Sequence, residues 1–212
     1  MIDGKLRIES LARRHLTEVA RLHVLGLSRD FSGWPGRQIM SVFYRELITT
    51  HDPPPGFVAL VDDRVVGFAV AVADARQIKK RVLMKWWWWL ALLGLVQFVV
   101  RPISLTGRAA RWIRERRAHL PRTGLDPLQS CCPPPRIEFR GIVVDPAARV
   151  PGAALALMRA RLGWAKTAGY RSIYFQIDHD NERSIQLCQW AGAQPVPEDV
   201  PRPRLRFYKV LS

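Results

Sequence analysis

Six consecutive residues, Arg149-Val150-Pro151-Gly152-Ala153-Ala154, have the make-up of an anion cradle. Small residues stand where a turn opens into a helix, whose apolar positions recur at Ala154, Leu155, Leu157, Met158 and Leu162. The first N–H groups of a helix have no partner within it and lie at the positive end of its dipole, so phosphate is a natural ligand there. Pro151 suits a helix start, and Gly152 lets a ligand approach the backbone closely. Upstream, Ile137, Phe139, Ile142, Val143 and Val144 read as a strand that stops at Asp145-Pro146. The chain is organised around this strand, turn and helix.

Arg149-x-x-Gly152-x-Ala154 resembles the Q/R-x-x-G-x-G/A signature of the GNAT superfamily, the acyl-CoA-dependent N-acyltransferases, and Val144-Asp145-Pro146 is similar to its usual lead-in. Order strengthens the resemblance. Asp178-His179-Asp180-Asn181 follows the next strand, and a short helix then closes on Ala191-Gly192-Ala193, like the family's N-x-x-A-x-x-x-Y-x-x-x-G-F ending. The resemblance covers residues 5–75 and 136–212. It implies an N-acetyltransferase that moves an acetyl group from acetyl-CoA directly to a primary amine. The acceptor stays open among an amino sugar, a polyamine, a peptide N-terminus and a lysine. It further implies that the backbone from Arg149 through Val150, Pro151, Gly152, Ala153 and Ala154 to Leu155 holds the pyrophosphate of CoA. Ile142, Val143 and Val144 would pair with the pantetheine arm as an added strand does, and a bulge, for which Gly141 is the plausible place, would free their amides. Asn181 matches a position that touches the cofactor, and it reads equally as the N-cap of the helix that Glu182 opens.

For the general base the resemblance points to Glu138, eleven residues before Arg149, where several relatives place a catalytic glutamate on the fourth strand. The competing reading is a surface glutamate paired with Arg136 or Arg140. Two positions depart from the pattern. Gln176 stands where some relatives carry a second glutamate, and an amide cannot take a proton in that way. Cys188, seven residues after Asn181, replaces the tyrosine that protonates the leaving thiolate. An ordinary thiol, with a pKa near ~8.5, has the acidity for that role, whereas a buried helical cysteine is a packing residue. Tyr208 or a water is the substitute. The alternative function is a non-catalytic CoA-binding, nucleic-acid-binding or membrane-binding module on a GNAT-like scaffold.

The remaining elements must position these residues. Lys5–Ser10 is expected as a strand, followed by a helix faced by Leu16, Val19, Ala20, His23 and Leu27, with His23 a spacer on that face. A loop with Phe31 and Trp34 leads to a second helix, and the prolines of His51–Gly56 end it. Phe57–Val61 and Val65–Val72 form a hairpin about Asp62-Asp63. Ser172–Ile177 and Leu205–Leu211 are strands, with a helix over Glu182–Trp190 and a proline-rich loop over Pro195–Pro203. The fold class is α/β (α+β): one domain, residues 1–212, with a mixed, mostly antiparallel GNAT-like sheet flanked by helices. The acceptor is expected near Phe31–Gly36, the insertion and the Pro195–Pro203 loop.

Residues 76–135 are read as a helical insertion between the third and fourth strands. Arg76 to Leu120 carries eleven Lys or Arg and one Glu, a net +10 of the chain's +15. It also carries Trp86-Trp87-Trp88-Trp89 and an apolar run to Val100, which is short of the about 20 residues a spanning helix needs. Residues 78–117 therefore suit a helix lying in the interface of an anionic membrane. Packing on the domain, or on a second copy as a homodimer, accounts for the tryptophans equally.

The excess of 33 Lys and Arg over 18 Asp and Glu calls for an anionic partner. Nucleic acid is disfavoured, because the charge lies with an apolar tryptophan run and not with a recognition helix or RNA-binding signature. MIDGKLRIES has no apolar core for a secretory signal, and three cysteines, two adjacent, make neither a disulfide framework nor zinc spacing. The five histidines are scattered, so no metal is expected. The expected location is the cytoplasm, peripheral to the inner membrane face if the insertion binds lipid.

Overall fold

Asp62 and Asp63 both take positive φ, 49° and 60°, the backbone of a tight hairpin turn, and so fold β2 (Gly56–Val61) against β3 (Arg64–Val72). This hairpin belongs to a computed structural model that describes residues 5–26, 33–50, 54–100, 126–148, 150–198 and 204–211. Before it come β1 (Arg7–Ser10), a 3-10 turn at Arg13–His15, α1 (Leu16–Gly26) and α2 (Gly33–Thr49). After it come α3 (Ala75–Val100), α4 (Pro127–Cys131), β4 (Arg136–Val144) and α5 (Ala153–Thr167). The chain closes with β5 (Ser172–Ile177), α6 (Glu182–Trp190), β6 (Gln194–Pro195) and β7 (Leu205–Val210). β6 overlaps the stretch expected as a loop at Pro195 alone.

The seven strands form one sheet in the order β1-β2-β3-β4-β5-β7-β6. Every pairing is antiparallel except β4 with β5, which matches the mixed sheet expected from the sequence. Alternation along β2 divides two cores. Val58 and Leu60 join Val19, Leu22, Leu47 and Phe68 beneath α1 and α2, while Ala59 and Val61 meet Ala153 and Leu157 of α5. A third cluster sets Ile137, Phe139, Ile173 and Phe175 against Trp164 of α5 and Cys188 of α6. Gly169, at φ 78°, ends α5 in the left-handed conformation expected of it.

The first part of the insertion is one helix of 26 residues, α3. Its inner face packs on the α1–α2 core through Ile78, Val82, Trp86, Trp89 and Leu90. Buried Glu46 on α2 accepts from Lys85 Nζ at 3.0 Å and Trp86 Nε1 at 3.3 Å, so one side of the tryptophan run does pack on the domain. No described helix is long and apolar enough to cross a membrane. The rest of the basic stretch, residues 101–125, lies outside the described residues. At its far end Asp126 caps α4 and also holds Arg206 of β7 at 2.7 Å, which anchors the return of the chain into the sheet.

Candidate active site

β4 makes the site because it breaks its pairing on both sides. Toward β3, Ala69 is opposite Ile142 and Val70 opposite Arg140, so Gly141 is the extra residue of a bulge. Its φ of 32° is one that glycine tolerates, and the bulge falls where the sequence placed it. Toward β5, only Arg136, Ile137 and Glu138 find partners, in Ser172, Ile173 and Tyr174. From Phe139 onward β4 has no ladder on that side. The amides of Ile142, Val143 and Val144 follow directly on this edge.

A buried arginine supports the bulge. Arg161 of α5 is 1% exposed, and its Nη1 donates to the carbonyls of Val70 at 2.9 Å and Arg140 at 3.0 Å. Its guanidinium lies 4.3 Å from the centre of the Phe139 ring, and Nη2 meets Met158 Sδ at 3.6 Å. The two carbonyls belong to the Val70–Arg140 pair that borders the register shift, so Arg161 ties off backbone that the bulge disturbs. Burial lowers its pKa to about 9.

The register also lines polar side chains across the sheet. Glu138 lies opposite Tyr174, Tyr174 opposite Tyr208, and Tyr208 opposite Gln194, a row that spans β4, β5, β7 and β6. Tyr208 Oη donates to Gln194 Oε1 at 3.0 Å. Tyr174 is pushed up to about 12, first by burial and then by the nearby Glu138 carboxylate. Glu138 itself is 8% exposed, at the last paired position of β4, with Arg140 Nε 3.2 Å from its carboxylate. Burial overturns the surface part of the competing reading of Glu138, while its pairing with Arg140 is present. Arg140 acts on the other side as well. Together with burial, the larger cause, its charge holds His23 of α1 down to about 4. His23 Nδ1 and Tyr44 Oη are 2.6 Å apart, and the imidazole stacks on Phe68, which bears out its reading as a spacer on that face.

The turn into α5 has the form of an anion site. Arg149 lies outside the described residues. Gly152 is the N-cap at φ 77°, so the helix opens at Ala153, two residues beyond Pro151. No side chain caps these amides, and no acidic residue occupies the first turn. A Cβ on Gly152 would meet nothing within 4 Å, so open space faces this backbone. Beside it, Asp145 Oδ1 accepts from Ala147 N at 2.9 Å, and its carboxylate binds Arg21 of α1 at 3.0 Å, which fixes the exit of β4. Val150, Pro151, Ala153, Ala154 and Leu155 surround the turn. Asn181 is an exposed N-cap of α6, its side chain accepting from Ser184 N at 3.1 Å.

Cys188 stands apart from this arrangement. It is 2% exposed within the cluster of Phe139, Phe175 and Trp164, and burial pushes its pKa up to about 12. A thiol so placed is a packing residue and a reluctant proton donor. Tyr174 and Arg161 were not singled out by the sequence. For Tyr174 the signal was available in the alternation of β5, while for Arg161 a charged residue on an amphipathic helix gave no sign that it pointed inward. A cleft of about 810 Å³ lies between β1, α1 and the β2–β3 hairpin and reaches Asp145, Ala147 and Ala148 at the exit of β4. Most of its charges pair with one another, Arg7 with Glu9 and Asp63, Arg14 with Glu9, and Arg21 with Glu18 and Asp145, while Arg64 also lines it.

The model of the acetyltransferase (GNAT) family matches residues 26–193. Among solved structures, an N-acetyltransferase from Staphylococcus aureus Mu50 is 17% identical, with a TM-score of 0.59 over 99% of this chain and 100% of that one. The NatC complex bound to Gag peptide and CoA is 11% identical, with a TM-score of 0.56 over 98% and 99%. yncA from Salmonella typhimurium, solved with its cofactor acetyl-CoA, is 11% identical, with a TM-score of 0.55 over 98% and 94%. At these identities the similarity is one of fold. No match was found among curated proteins.

Proposed function

The chain belongs to the acetyltransferase (GNAT) family, and on that footing we propose that it moves an acetyl group from acetyl-CoA to a primary amine by direct transfer, with Glu138 as general base. The observation that carries this reading is the position of Glu138. A buried carboxylate stands where β4 parts from β5, three residues before the bulge at Gly141.

The residues present fit acetyl-CoA. An N-terminus without a side-chain cap and with open space beside Gly152 suits a pyrophosphate. An unpaired strand edge at Ile142, Val143 and Val144 suits the amide-bearing pantetheine arm. Bound there, acetyl-CoA supplies a thioester, an acyl group activated toward amines. Glu138 Oε accepts the proton that the attacking nitrogen must lose. Arg140, with Nε 3.2 Å away, pairs with that carboxylate as a charge. The proton needed by the departing sulfur is supplied from the same row by the Tyr208 hydroxyl, and not from Cys188 or Tyr174, both of which burial holds near 12. The acceptor approaches over the face that holds Glu138, Arg140, Tyr174 and Tyr208, opposite α5. Domain and insertion act together in this reading, with residues 76–135 an insertion in a single catalytic domain.

The test is thiol release from acetyl-CoA by the purified protein with pooled primary amines, followed by the same assay on Glu138→Gln. Turnover should fall by roughly 10²–10⁴-fold while affinity for acetyl-CoA stays unchanged. Full turnover in the variant on the same acceptor would move the base elsewhere.

A further inference from the structure

α3 is apolar on two sides, and among the described residues only one of them is packed. Beyond the buried inner face, Met84, Trp87, Trp88, Leu92 and Leu95 form an exposed stripe, with Trp87 66% and Trp88 56% exposed. Successive members are three or four residues apart, or adjacent, so they lie on one side of the helix, and at ~1.5 Å per residue the stripe is about 17 Å long. A helix apolar all round needs cover on both sides. The turns before the stripe carry Arg76, Lys79, Lys80 and Arg81, all exposed, and residues 75–100 contain no Asp or Glu.

We propose that this outer face of α3 binds an anionic membrane surface, with the tryptophans and leucines in the interfacial region and the basic turns among the headgroups. The charge decides the occupant. A second copy would bring another chain of net +15 to a helix that offers it no acidic residue, whereas anionic lipid complements both the cations and the apolar stripe. Tryptophan in particular favours the boundary between hydrocarbon and water. Lys85 is held by Glu46 at 3.0 Å, so it braces the helix on the domain while the other cations face outward. The proposal does not rest on the acyl-transfer reading, because its test reads lipid binding alone.

The experiment is flotation of the full chain with vesicles of phosphatidylcholine alone and with about one third phosphatidylserine added. The wild type should float with the anionic vesicles. Trp87→Ser/Trp88→Ser, and separately Lys79→Gln/Lys80→Gln/Arg81→Gln, should lower the partition coefficient on the order of 10-fold or more, with unchanged thermal melts, because all five positions are exposed. Raising the salt should weaken wild-type binding only in part, because the apolar contacts are not screened. Wild type left in the soluble fraction at low salt would overturn the proposal. So would binding that neither variant reduces, or a lipid-free, concentration-dependent increase in mass that Trp87→Ser/Trp88→Ser abolishes, since the stripe would then be covered by a second copy.

Discussion

Replacing Arg161 by methionine separates its part in folding from its part in shaping β4. Removal of the guanidinium leaves the carbonyls of Val70 and Arg140 without their partner, at about 1–3 kcal/mol each. It also loses the contact with the Phe139 ring, about 2 kcal/mol for a desolvated pair. Together these cost about 4–8 kcal/mol. Against them stands the burial of a charge with no carboxylate among its described partners. The fall in its pKa from 12.5 to about 9, at about 1.4 kcal/mol per pH unit, corresponds to on the order of 5 kcal/mol, which methionine does not incur. The two effects nearly cancel, so the stability of the variant should change by no more than about 3 kcal/mol. The bulge, however, loses its brace. Calorimetric titration should then show acetyl-CoA binding weakened at least about tenfold in a protein that still unfolds cooperatively. Arg161→Lys, with one ammonium in place of a planar fork, should lie between the two. Full affinity in a folded Arg161→Met protein would refute the reasoning and leave the bulge held by the sheet alone.

Gly152→Val should weaken acetyl-CoA binding sharply without unfolding the domain, since it places a branched side chain in the open space beside the turn and strains a backbone at φ 77°; equal affinity by calorimetry would remove the turn from the cofactor site. His23 gives a pH dependence of definite sign. Its folded pKa of about 4 lies below the usual 6.5, so the unfolded chain binds the extra proton between these values, and stability present above pH 6.5 is lost as pH falls toward 4. The loss amounts to about 3 kcal/mol at most, and urea unfolding at pH 7 and pH 4.5 should show a smaller difference in His23→Gln than in the wild type.

Most of the scaffold was legible because its signals are local. The hairpin at Asp62-Asp63, the stop at Asp145-Pro146, the left-handed Gly169 and the capping Asn181 each follow from one or two residues and their neighbours. Even the bulge was marked, by a lone glycine in a β-branched strand. What the sequence did not disclose depends on pairing between distant segments. Tyr174 becomes a neighbour of Glu138 only through the parallel register of β4 and β5. Arg161 faces inward because two strands meet out of step in front of it, and nothing within α5 records that. The tryptophan run shows the same limit from the other side. Composition alone set membrane against packing, and α3 divides its tryptophans, Trp86 and Trp89 toward the core and Trp87 and Trp88 toward solvent.

The short ladder between β4 and β5 has a mechanical consequence. Three rungs join a half-sheet backed by α5 to a half-sheet backed by α6, and on the helical side Arg159 reaches across to the ring of Trp190 at 5.2 Å. Beyond the rungs the two sides are joined by side chains, the Phe139 ring edge-on to that of Phe175 at 5.5 Å. Any widening of the gap would therefore pivot at Arg136–Glu138 and slide these rings past each other. Glu138 sits on the last rung, close to the axis. A rotation of that kind would open the mouth of the gap while leaving the carboxylate almost where it is.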